Sequence, residues 1–308
     1  KLVGTIRLAT RESALAMWQA NFVKDALEAA HPGLEVEIVG MTTLGDRNKH
    51  SPLSKLGGKG VFVKELEVGL LENRVDIAVH SMKDVPSELP EGLQITAICE
   101  REDPRDAFVS VNFEKLDDLP DGARIGSSSL RRRIQLQQKY PRYRFIELRG
   151  NVDTRLRKLE AGEYEGIILA CAGLKRLGLE NRISEGIDTT VSVPSAGQGA
   201  VGIESRAGDT RVNALLAAIN HDDTWRCVTS ERLISSGLGA TCNMPVAAFA
   251  ELGPSGVTIS SFVSDIAGET ILKIDKQGPE LESYRLAKEV TTELMAQGAA
   301  EIIEAGRD

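Results

Sequence analysis

The chain has 308 residues, 42% of them hydrophobic and 27% charged, with a net charge of −8. That length suffices for two or three domains with sizeable cores, and the acidic balance excludes a general nucleic-acid binder, which needs broad basic surfaces to neutralise phosphates. No apolar run approaches the ~20 residues that span a bilayer, and the four cysteines (Cys99, Cys171, Cys227, Cys242) and four histidines (His31, His50, His80, His221) are dispersed, without metal-ligand spacing, as fits a protein of the reducing cytoplasm.

In chain order, Ile6–Ala9 reads as a short strand stopping at Thr10-Arg11-Glu12-Ser13. Leu15, Trp18, Phe22, Val23 and Leu27 recur near the helical period and predict a helix to about Ala30, closed by His31-Pro32-Gly33. Leu34–Met41 is a second strand, followed by Thr42–Asp46. The polar, Gly- and Lys-rich stretch Arg47–Gly60 reads as a mobile loop, a candidate lid carrying Lys55 and Lys59, with Phe62 as a core or stacking residue beside it. A helix over Val61 to about Asn73 precedes a buried strand, Asp76–His80, which ends in Ser81-Met82-Lys83-Asp84. Trp18 and His80 are expected in the core. Strands alternating with helices at this spacing predict a parallel α/β sheet.

The next stretch repeats the plan. Ala123–Gly126 matches Ile6–Ala9, Tyr143–Leu148 matches the second strand, and Gly166–Ala170 followed by Cys171–Arg176 matches Asp76–Asp84. This predicts an internal duplication of a doubly wound unit: domain 1 over 1–99 and 200–217, domain 2 over 105–193. Ile98–Arg105 and Val193–Val201 are expected to cross between them as a hinge, Gly197 and Gly199 supplying flexibility. From Asp222 the pattern changes to a helix (Asp223 to about Ser236), strands at Val246–Leu252, Val257–Val263 and Thr270–Asp275, and a long helix over Pro279 to about Gln297. This is a small α+β domain over 222–308.

One stretch breaks a local rule. Ser127, Ser128 and Ser129 suit the N-cap region of a helix, where their oxygens accept unpaired N–H groups. Arg131, Arg132 and Arg133 do not, because the helix dipole disfavours cations there. An anion is the natural compensation, and a solvated basic helix start is the plain alternative. Ligands of open α/β sheets sit beyond the strand C-termini, where Arg11, Ser13, Lys83, Asp84, Arg149, Asn151, Arg155 and Arg176 also fall. If two such domains face one another, these groups pool in one cleft. So many guanidinium groups suit a ligand with several carboxylates better than one phosphate. Asp84 among arginines would stay ionised and could stabilise a cation or move a proton, or simply form an ion pair. Cys242, in a loop of short residues before Pro245, is either reactive or an inert thiol.

Together, Leu8–Ser13, His80–Pro86, the serine–arginine turn, Arg149–Leu156, Pro194–Gly199 and Cys242 resemble the porphobilinogen deaminase (hydroxymethylbilane synthase) family, from about Ile6 to the chain end. The resemblance implies two periplasmic-binding-protein-like α/β domains plus the α+β domain. It implies a transferase of haem (porphyrin) biosynthesis, expected as a cytoplasmic monomer. Such an enzyme adds four porphobilinogen molecules, each losing ammonia, to a dipyrromethane cofactor held by a thioether to Cys242, and releases the linear tetrapyrrole by hydrolysis. By the same mapping Asp84 would be catalytic. Ser13, Lys83, Asp84, Ser127, Ser128, Ser129, Arg131, Arg132, Asn151 and Arg155 would bind the cofactor. Arg11, Gln19, Arg149, Arg155, Arg176 and Gln198 would bind substrate or the growing chain. In the family two glycines usually precede the cysteine, where this chain has Ala240-Thr241. The rival reading is a non-catalytic two-lobed solute-binding or sensor protein for a polycarboxylate, because fold alone does not fix function.

Overall fold

A computed structural model describes residues 4–48, 60–241 and 243–307. Lys55, Lys59 and Cys242 lie outside them. The chain forms two compact units, 1–102 with 200–226 and 103–199 with 227–308.

In chain order the first passage contains β1 (Thr5–Arg11), α1 (Ala14–Ala30), β2 (Glu35–Met41), α2 (Leu44–Arg47), α3 (Lys64–Leu71), β3 (Ile77–Ser81) and β4 (Leu93–Ile98). The second contains β5 (Asp106–Val109), β6 (Arg124–Gly126), α4 (Leu130–Lys139), β7 (Arg144–Ile146), α5 (Val152–Glu160), β8 (Gly166–Ala170), α6 (Cys171–Arg176) and β9 (Glu185–Gly186). Then come β10 (Val201–Arg206), α7 (Thr210–Leu216), α8 (Asp222–Gly237), β11 (Val246–Gly253), β12 (Gly256–Ser264), β13 (Ile271–Leu272), β14 (Asp275–Gly278), α9 (Ser283–Ala296) and α10 (Ala299–Ala305).

The first unit holds a sheet of order β2-β1-β3-β10-β4, and the second holds β7-β6-β8-β5-β9. Three strands of each run parallel, whereas β10 and β5 are antiparallel to both neighbours. The expected all-parallel sheet is therefore mixed. In each sheet the fourth strand in spatial order runs opposite to both strands it pairs with. The matched order of the two sheets agrees with the duplication read from the sequence.

Each sheet is covered by helices whose apolar stripe faces it. On α1, Ala20, Val23 and Leu27 pack against Ile6, Leu8 and Val36 of the strands, each large side chain contributing about 1.5–3 kcal/mol by leaving water. Trp18 is a correction: it is 38% exposed and stacks at 5.4 Å on Phe22, itself 40% exposed. Both are one step off the buried stripe, so the pair shields itself rather than filling the core. The α+β part pairs β11, β12, β13 and β14 antiparallel, with α9 packed on them. The run expected as one strand at Thr270–Asp275 divides into β13 and β14, and α10 was not foreseen. The helix expected from Val61 begins only at Lys64, after a turn at Gly60 with φ of +70°.

Candidate functional site

In the first unit, β1 delivers Arg11 and Ser13 caps α1, its Oγ accepting from the Ala16 N–H at 3.3 Å. On α1, buried Gln19 exchanges hydrogen bonds with Ser81 at 3.0 and 3.1 Å. Ser81 ends β3, and one 3-10 turn, Met82–Asp84, presents Lys83 and Asp84. These groups, with Phe62 and His80, line a cavity of about 100 Å³.

Arg11 is not open-handed there. Its Nε donates to both Asp46 oxygens at 3.0 and 3.1 Å, and its guanidinium lies 4.3 Å from the Phe62 ring centroid. Burial pulls the Arg11 pKa down, but the Asp46 bond and the Asp84 charge outweigh it and the net direction is up. Thr43 fixes Asp46 in turn, donating its hydroxyl at 2.8 Å. His80 is buried as expected but is no apolar core residue, since its Nε2 lies 2.8 Å from Glu204 Oε1.

In the second unit the serine–arginine turn follows β6 as predicted. Ser129 caps α4 by accepting from the Arg132 N–H at 3.2 Å, and Ser127 Oγ accepts from the Ser129 N–H at 3.2 Å. Ser128 is exposed. The compensating anion inside the fold is Asp106, the first residue of β5. It is fully buried and takes both terminal nitrogens of Arg131, at 2.9 and 3.1 Å, and Arg132 Nε at 2.8 Å. Ser192 Oγ donates to it at 2.6 Å and Gln198 Nε2 at 3.0 Å. Burial opposes the charge on Asp106, but Arg131 and Arg132 prevail and hold its carboxyl far below the usual range.

This arrangement engages two of the residues expected to bind ligand. Gln198 is fully buried, its amide donating to Pro104 O at 2.7 Å as well as to Asp106, and its Oε1 accepting from Arg131 at 3.2 Å. Arg131 also donates to Val193 O at 2.8 Å. Both are turned toward Asp106. Gly197 and Gly199 are set in defined backbone conformations. The Gly197 N–H donates to Glu231 at 2.8 Å, and both residues sit at positive φ, +81° and +85°, a backbone region that glycine enters without strain.

Among the described residues Arg132 is bonded through its side-chain Nε, not its terminal nitrogens, and around it the positive charge is in excess. Asn151 caps α5 by accepting from the Thr154 N–H at 2.9 Å. Gly150 before it has φ +116°, and a Cβ there would lie 2.9 Å from Thr154, which is why glycine sits between Arg149 and the cap. Arg155 Nε donates to Gly150 O at 2.8 Å. Burial, then Arg132, then Arg149 push the Arg155 pKa down to about 10. An arginine whose pKa is lowered by neighbouring guanidiniums marks a place suited to negative charge. Arg176 donates to Gly199 O at 3.0 Å.

The sequence reading missed three carboxylates: Asp46, Asp106 and Glu204. Asp106 had a signal. It opens the apolar run Ala107-Phe108-Val109, and an acidic residue leading a buried strand must find cations. Beside the position of Cys242, the Ala240 N–H donates to Ser235 O at 3.0 Å and the Met244 N–H to Thr241 O at 3.1 Å. Among the described residues, no three His, Cys, Asp or Glu side chains could hold a metal ion, and no helix is long and apolar enough to cross a membrane.

Residues 6–214 match the family model described as porphobilinogen deaminase, dipyromethane cofactor binding domain, and residues 225–296 match the porphobilinogen deaminase C-terminal domain. Among solved structures the chain is similar to the VFT2 domain of Bordetella pertussis BvgS (17% identity, 74% of this chain and 93% of that one, TM-score 0.42). It is also similar to the methionine-binding protein MetQ (15%, 74% and 94%, TM-score 0.46) and to a Bacillus subtilis putative methionine-binding lipoprotein (13%, 71% and 92%, TM-score 0.43).

Proposed function

The chain belongs to the porphobilinogen deaminase family, and from that premise we propose that it condenses four porphobilinogen molecules, with loss of ammonia, onto a dipyrromethane attached through Cys242, and releases hydroxymethylbilane by hydrolysis. The observation that carries this reading is the surplus of positive charge at Arg132, Arg149 and Arg155, whose one bonded carboxylate among the described residues is the Asp106 shared by Arg131 and Arg132. A group bearing several carboxylates fits that surplus. The cofactor would supply the pyrrole end on which the chain grows.

The roles divide by environment. Ser13, Lys83, Ser128, Ser129, Arg132, Asn151 and Arg155 would hold cofactor carboxylates. Arg131, Ser127 and Gln198 would act indirectly, fixing Asp106 and the helix start. Arg11, Gln19, Arg149 and Arg176 would bind substrate, with Arg11 kept flat against Phe62 by Asp46. Asp84, the carboxylate in the pocket with Arg11 and Lys83, would stabilise the cation left by ammonia loss and exchange protons at pyrrole nitrogen. Lys55 and Lys59 would serve a lid. We propose further that the protein works as a cytoplasmic monomer, and that residues 105–193 and 222–308 are separate domains although most of both fall in one compact unit.

The test is the intact mass of the purified, denatured protein. It should exceed the sequence mass by one dipyrromethane, and Cys242→Ser should remove the excess. A bare polypeptide that consumes no porphobilinogen would leave the two-lobed binding-protein reading instead.

A further inference from the structure

His80, Glu204 and Glu67 form a buried chain of titratable groups behind the Asp84 pocket. β3 and β10 run antiparallel with Ala78 opposite Glu204 and His80 opposite Gly202, so His80 and Glu204 are diagonal neighbours on one sheet face. The β10–β4 register slips between Ile203 and Glu204, a bulge of the kind that re-aims a side chain. Gly202, opposite His80, leaves room for Met82, whose Sδ would lie 2.0 Å from any Cβ there. The side chains of His80 and Glu204 are 2% and 0% exposed and meet at 2.8 Å. Glu67, buried on α3, faces the same carboxylate.

We propose that Glu67, Glu204 and His80 are positioning residues that work as one unit: the two carboxyls share a single proton, and the remaining negative charge holds His80 as an imidazolium on the wall of the cavity that carries Asp84. Charge balance is the reason. Two adjacent buried carboxylates do not both ionise, and a lone buried anion is costly unless a cation pairs with it. One proton on the pair and one on the ring make the buried cluster neutral. Burial, followed by the neighbouring Glu204, raises the Glu67 pKa to about 8, against a smaller pull from His80.

The other charges near the ring are already matched or belong to the pocket. Arg11 is paired with Asp46, Glu65 on α3 with Arg47 at 3.0 Å, and Lys83 and Asp84 line the cavity with His80. The imidazolium thus joins Arg11 and Lys83 in making that wall attractive to carboxylates. Above about pH 8 Glu67 would ionise, and the second buried negative charge would weaken the attraction.

The experiment uses the whole protein labelled with 15N-histidine, with the His80 signals assigned by His80→Gln. At pH 7.5 His80 should give imidazolium signals in the wild type and neutral imidazole signals in Glu204→Gln. If Glu204→Gln does not fold, the wild-type titration decides. Resting on the proposed activity, the KM for porphobilinogen should rise about threefold or more from pH 7.5 to 9 in the wild type but stay flat in Glu67→Gln. A neutral His80 in the wild type at pH 7.5, or an equal KM rise in Glu67→Gln, overturns the proposal. A wild type with imidazolium signals but no porphobilinogen turnover would instead refute the enzymatic reading and leave the buried unit standing.

Discussion

Asp106→Asn keeps the shape of the side chain and removes its charge. In the native unit that charge faces two nearly buried guanidiniums, their side chains 7% and 10% exposed, through bonds of 2.8–3.1 Å. Removing one partner of a buried ion pair costs about 3–5 kcal/mol. The upper half of that range applies here, because the new amide NH2 points at N–H donors while two cations stay buried. With about 2–4 °C per kcal/mol for a unit of this size, a loss of ~4 kcal/mol lowers Tm by about 8–16 °C. Scanning calorimetry at pH 7 measures it.

The pH dependence supplies a second check with a definite sign. The folded pKa of Asp106 lies below its unfolded value, so its stabilisation is complete above the unfolded value near 3.9 and is lost as the pH falls toward the folded one. The wild-type advantage should therefore be constant from pH 7 to 5 and about 1 kcal/mol smaller at pH 3, at 1.36 kcal/mol per pH unit. A loss under about 1 kcal/mol at pH 7, or a gap that does not shrink in acid, would refute the view that this carboxylate neutralises the helix start.

Arg155→Leu removes a half-buried cation that two other arginines already disfavour, so folding stability should hold or rise while cofactor loading falls. One charge-assisted bond lost, about 1.5–3 kcal/mol, corresponds to roughly 10–150-fold weaker retention, read by intact mass after growth; a fully loaded variant contradicts the role. Asp84→Asn should keep the far-ultraviolet spectrum and Tm yet lower porphobilinogen consumption by about 10²–10⁴-fold, the usual worth of a positioned acid–base group. Near-normal turnover would move that role elsewhere.

Much of this was readable from residue order, for identifiable reasons. Ile6–Ala9, Gly166–Ala170 and Ala123–Gly126 are apolar runs ended by polar punctuation, and each became a strand in its expected place. The caps Ser13, Ser129 and Asn151 act locally and could be read locally. What escaped is what depends on distant partners. Nothing near Arg131 tells that Asp106, 25 positions earlier, will neutralise it, nor does anything near His80 tell of Glu204. The strands β5 and β10 escaped for the same reason, since β10 pairs with β3 and β4 and β5 with β8 and β9, all distant in sequence. Trp18 was misplaced because an aromatic at helical spacing fits a surface pair as well as a core stripe.

The position of β10 bears on the birth of the molecule. Its strand lies between β3 and β4, yet its residues are made only after the whole of 103–199. At about 5–20 residues per second of synthesis, the emerging first unit waits roughly 5–20 s with the facing edges of β3 and β4 unpaired. Meanwhile the sheet β7-β6-β8-β5-β9, drawn wholly from 106–186, can close. The part that starts first is thus the part completed later, and its exposed strand edges in that interval are where a nascent-chain chaperone would bind.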